Sequence, residues 1–68
     1  MTLDQAIQEM LLKSTDSELE SLEWLARKER DETIARYQAA YGWTIAECNE
    51  FLDNAALAYE LLVKDKAA

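Results

Sequence analysis

The chain has 68 residues, with 14 acidic and 7 basic side chains, no histidine, no proline, one glycine and one cysteine, for a formal net charge of −7. Without histidine there is no imidazole base and no Ser-His or Cys-His pair. One cysteine forms neither an internal disulfide nor, without histidine, a zinc cage, and so acidic a chain lacks the clustered Lys and Arg from which phosphate binding draws its free energy.

Ala, Leu, Glu, Lys, Arg and Gln dominate, which is the composition of long helices joined by short connections. Thr2-Leu3-Asp4-Gln5 reads as a capping box, followed by Leu3, Ile7, Met10 and Leu11 at helical spacing. A short first helix is expected over 3–13. Ser14 and Thr15 favour a break, and Thr15-Asp16-Ser17-Glu18 repeats the start signal.

The second helix is expected to run unbroken over 16–41. Its stripe is Leu19, Leu22, Ala26, Thr33, Tyr37 and Tyr41, interrupted by Arg30. Glu23 with Arg27, Arg27 with Asp31, Lys28 with Glu32 and Glu32 with Arg36 are spaced i,i+4. Such pairs add about 0.2–0.5 kcal/mol each and support a poorly buried helix centre. Trp24 lies off the stripe, where a large exposed aromatic suits an interface anchor.

Gly42, Trp43, Thr44 and Glu47 form the structural turn. Gly42 can take the left-handed conformation that closes a helix, and Thr44 with Glu47 makes a third capping box. Trp43 and Cys48 stand at the staple spacing around that cap. A third helix is expected over 45–64, with Ile45, Cys48, Leu52, Ala55, Tyr59 and Leu62 as a seam against the second. From Ala55 to Val63 every residue except Glu60 is apolar, and Leu57 and Leu61 form a separate row away from the seam. A helix apolar nearly all round is a buried helix. The reading is that region 51–63 is covered by another chain, with the first helix folding back over Leu57 and Leu61 as the competing cover.

The expected fold is therefore all-α: a helical hairpin with a short N-terminal helix, one domain over 1–68, assembled into a dimer or higher helical bundle. In this size range a single core seldom supplies more than about 3–5 kcal/mol, so association is the available supplement. Charges break every apolar run well short of the roughly 18 residues a membrane span needs. The lone cysteine and the missing signal-peptide pattern point to a reducing, cytoplasmic setting. No cofactor, metal, nucleic acid or membrane is expected as a partner.

Chemistry-bearing candidates reduce to few. Cys48 on the seam reads as a small buried hydrophobe. Glu47 and Glu50 have an i,i+3 spacing used in di-metal bundles but lack the accompanying histidine. The aromatics at 24, 37, 41, 43 and 59 read as packing residues, because no basic groove accompanies them. Acid gathers in two zones, Asp16, Glu18, Glu20 and Glu23, and then Glu47, Glu50, Asp53 and Glu60. Solvated helix faces account for both, and the sharper reading is that the 16–23 zone steers a basic partner.

Arg36, Tyr37, the Tyr41-Gly42-Trp43-Thr44 turn, Glu47 and Phe51 lie in a stretch, Leu22 to Phe51, that resembles small helical bacterial and archaeal antitoxin-like proteins. Those proteins share an acidic-basic helix ending Arg-Tyr, a Tyr-Gly-Met-Ser turn and a Glu-rich helix start ending in Phe. Here Trp43 replaces the methionine, Cys48 stands where a second acid is common, and their Gly-Glu-Leu-Gly segment is absent. The resemblance implies a hairpin that binds protein.

The expected function is a non-enzymatic interaction module, self-associating and able to bind and inhibit a protein partner. Its expected anchors are Trp24, Phe51, Leu57, Tyr59, Leu61 and Val63. The alternatives are an architectural subunit of a homo-oligomeric assembly, and a phage-type acidic inhibitor that mimics nucleic acid charge and needs both acidic zones on one surface.

Overall fold

Three of the four helices begin at a threonine whose side chain and backbone are both satisfied three residues on. The Gln5 N–H donates to Thr2 Oγ1 at 3.3 Å and the Thr2 N–H to Gln5 Oε1 at 3.2 Å. Thr15 with Glu18 and Thr44 with Glu47 repeat the reciprocal pattern, which satisfies amide donors that a helix start otherwise leaves open. The computed structural model describes residues 1–67. Its helices are α1 (Leu3–Lys13), α2 (Asp16–Lys28), α3 (Arg30–Tyr41) and α4 (Ile45–Ala67), with no strand among the described residues. The fold is all-α. Gly42, at φ 71°, closes α3 in the left-handed conformation while its N–H donates to the Gln38 carbonyl at 2.9 Å.

One boundary differs from the expectation. The helix expected over 16–41 breaks at Glu29, where φ is −133° and ψ is 38°. Arg30 supplies the reason. In a continuous helix its backbone N–H would donate to the Ala26 carbonyl; here the side-chain Nε donates to that oxygen at 2.9 Å. The same guanidinium donates to Asn49 Oδ1 at 2.7 Å and to Asp53 Oδ1 at 2.9 Å on α4. Buried Thr33 secures the far side of the break by donating from Oγ1 to the Glu29 carbonyl at 2.8 Å. The bend lets α2 and α3 each pack on α4. It also separates two of the expected charge pairs, Arg27 with Asp31 and Lys28 with Glu32. Of the four i,i+4 pairs, Glu23–Arg27 is the one formed among the described residues, at 2.8 Å.

Helix α4 is the axis of the molecule, touching all three other helices. Cys48, Leu52 and Ala55 are fully buried on its inner side against Leu19 and Ala26 of α2 and Ile34 of α3, and Tyr59 and Leu62 continue the seam half-buried. Ile45 departs from it, remaining 59% exposed in the first turn. Complete burial of a side chain such as Leu52 contributes about 1.5–3 kcal/mol. The Cys48 thiol donates to the Ile34 carbonyl at 3.8 Å.

Helix α1 adds Ala6 and Met10 to the core beside Trp43 and Phe51. Trp43 ties it down by donating from Nε1 to the Met1 carbonyl at 3.2 Å. Tyr37, Trp43 and Phe51 form an edge-and-tilt aromatic cluster, with Tyr37 and Phe51 centroids 5.5 Å apart at 89° and Trp43 and Phe51 5.7 Å apart at 44°. This corrects the reading of Phe51 as an interface anchor: its ring is buried inside its own chain. The first helix does fold back onto the last, but along the Phe51 side. Leu57 and Leu61 stay uncovered.

Candidate interaction surface

Once the core is formed, α4 still exposes apolar side chains. At about 100° per residue, positions 57 and 61 project roughly opposite to the buried 48, 52 and 55. Leu57 is 53% and Leu61 54% exposed. They stand one helical turn apart and form a ridge on the outer side of the molecule.

Trp24, Tyr59 and Val63 belong elsewhere. Trp24, 46% exposed, and Tyr59 line an open cleft of about 630 Å³ between α2 and α4, together with Ser17, Glu20, Ser21 and Glu23. Val63 lines a smaller adjoining cleft that shares Glu23 and Tyr59. The anchors expected to act as one surface thus divide three ways: an outer ridge (Leu57, Leu61), an α2–α4 groove (Trp24, Tyr59, Val63), and the core (Phe51). A helical-wheel reading of α4 separates position 61 from 63, and this was the signal available in the sequence.

The acidic zone at 16–23 is largely committed to local partners. Lys66 donates to Asp16 at 2.5 Å, Glu18 is spent in the capping box with Thr15, and Glu23 accepts from Arg27. Glu20 alone of the four has neither an ion pair nor a side-chain hydrogen bond among the described residues. In the second zone Glu47 accepts from the Thr44 N–H and Asp53 from Arg30. The field available for steering is correspondingly weaker than the count of carboxylates implies.

No group of three or more His, Cys, Asp or Glu that could hold a metal occurs among the described residues, and no helix there is long and apolar enough to cross a membrane. Burial pushes the Cys48 thiol above its ordinary range, with the Glu47 carboxylate adding to the shift, which keeps it protonated and a poor nucleophile. Tyr37 is raised first by burial and then by neighbouring Tyr41, and Lys66 by its hydrogen bond to Asp16.

Comparison with protein-family models, curated proteins and solved structures gives no match.

The linkage that reading the sequence missed is Arg30 with Asn49 and Asp53. It appears there as an interruption of an apolar stripe. Its partners stand i,i+4 on a later helix, a spacing that places both on one side within reach of a single guanidinium.

Proposed function

We propose that this chain is a non-enzymatic protein-interaction module that self-associates through the outer ridge of α4 and offers the α2–α4 groove to a protein partner. One observation carries the reading: Leu57 and Leu61 remain more than half exposed in a chain whose other three helices have already packed against α4. Leaving the outer half of two leucines in water forgoes on the order of 1 kcal/mol each, a sizeable loss for a domain of this size. A second chain recovers it. The antitoxin-like resemblance supports the same class of role, although Tyr37, Gly42, Trp43 and Phe51 serve the turn and the core, which leaves Arg36 as an exposed member of that motif. Partner binding then rests on Trp24, Tyr59 and Val63.

An architectural subunit is the second reading, favoured by the presence of exposed apolar side chains on two separate sides of α4. The acidic-mimic reading has less support, because Asp16, Glu18, Glu23, Glu47 and Asp53 each answer to a group within the chain. Native mass spectrometry of the gently purified protein tests the proposal. A homo-oligomer, alone or with a second protein bound, is expected; a bare monomer at every accessible concentration overturns it.

A further inference from the structure

The outer ridge of α4 is longer than its two leucines. Glu50, Asn54, Leu57, Leu61 and Lys64 follow one another at spacings of 4, 3, 4 and 3, the alternation that carries a helix–helix seam. The inner seam of α4 has the same alternation and is filled by α2 and α3. The outer one has a polarity that the inner one lacks: an acid at its N-terminal end, a base at its C-terminal end, and apolar residues between.

Two of its polar members keep hydrogen-bonding capacity to spare. Asn54 donates from Nδ2 to the Glu50 carbonyl at 2.8 Å, which leaves Oδ1 as an open acceptor. Lys64 is exposed and has no ion pair among the described residues. A parallel pairing of two such helices sets Glu50 against Glu50 and Lys64 against Lys64, and like charges at a shared seam repel. An antiparallel pairing about an axis between Leu57 and Leu61 removes both clashes. It brings each Leu57 opposite a Leu61 and each Asn54 opposite a Lys64.

We infer that the outer seam of α4 is a two-fold, antiparallel interface with a second copy of this chain, in which Leu57 of each copy packs on Leu61 of the other and Lys64 of each copy donates to Asn54 Oδ1 of the other. Such an interface uses the same patch twice and closes at a dimer. The contact is short, so the dimer exchanges with monomer in a concentration-dependent way. This inference rests on the self-association proposed above and adds its geometry.

Engineered disulfides decide the geometry. Chains carrying Asn54→Cys and chains carrying Lys64→Cys are prepared separately, mixed at submillimolar concentration and treated with a mild oxidant, with native Cys48 kept out of the reaction by its complete burial. In the antiparallel seam, position 54 meets position 64 of the other copy, whereas two copies of position 54 stand about 15 Å apart along the axis at about 1.5 Å per residue. A disulfide needs Cα atoms within roughly 7 Å. The expected product is a mixed 54–64 dimer, with little cross-linking of either variant alone. Self-linked 54–54 and 64–64 dimers overturn the arrangement and leave self-association standing. A wild-type chain that stays monomeric by sedimentation at the same concentration overturns both. Circular dichroism of each variant confirms that the exposed substitutions leave the helices intact.

Discussion

The two sides of α4 carry the same three-four spacing of residues and meet different surroundings. The inner side has Cys48, Leu52 and Ala55, small or medium residues that let α2 and α3 approach closely, and all three are sealed from water. The outer side has Leu57 and Leu61 between polar ends, more than half exposed. Periodicity alone identifies where a helix can be packed; the neighbours, and the size and charge of the flanking residues, decide what packs there. Phe51 shows the same point from the other direction. It stands close to the exposed row in sequence, yet it is turned into an aromatic cluster with Tyr37 and Trp43.

Leu52→Ala against Leu57→Ala is the sharpest way to break that contrast. The inner substitution is expected to cost about 2–5 kcal/mol through lost burial and a residual cavity, most of the stability of a domain this small. The outer one is expected to change the stability of the isolated monomer by no more than about 0.5 kcal/mol. Urea denaturation followed by circular dichroism below the association range compares them, and equal losses would mean that the two sides are not different in kind.

The tie that holds α2 and α3 against the inner side comes next. Arg30→Ala removes the donor to the Ala26 carbonyl and both links to α4, with an expected cost of about 1–2 kcal/mol. Loss of slow amide exchange around residues 26–34 should accompany it; unchanged protection there would show the bend to be held by packing alone. Gly42→Ala follows at about 1 kcal/mol. No atom lies within 4 Å of an added Cβ, so the whole cost is the left-handed backbone at φ 71°.

Alkaline pH gives the smallest effect and again separates the sides. Cys48 and Tyr37 on the inner side, and Lys66 at the end of α4, all have folded pKa values raised above their ordinary ones. Above those ordinary values the unfolded chain holds fewer protons than the folded one, so stability falls with rising pH. The contribution is fully present below the ordinary thiol value of 9.0 and is lost as pH rises through the raised values. Denaturation midpoints between pH 7 and 11 should decline, and Cys48→Ala should delay the onset. A midpoint that rises above pH 9 contradicts the assignment.

Much of this organisation is legible in the sequence because it is local. Threonine followed three residues later by Gln or Glu marks three helix starts, and the lone Gly42 marks a stop. All four act over a few residues, where geometry leaves little choice. The break at Glu29 is not local. It depends on Arg30 leaving its own helix to reach Asn49 and Asp53 some twenty residues away, a connection that exists only after α4 has docked. The meeting of Trp24 with Tyr59 in one groove likewise follows from which flank of α4 the α2 helix covers. Charge counts misled for a related reason: Asp16 is answered by Lys66, fifty residues on, across the two ends of the chain.

The central claim is that the outer side of α4 is a surface for another chain. Sedimentation velocity of the wild-type protein and of Leu57→Glu, run side by side up to submillimolar concentration with circular dichroism on the same samples, tests it most directly. The account predicts a concentration-dependent dimer for the wild type and a monomer of unchanged helicity for Leu57→Glu. Identical masses for the two proteins would contradict it.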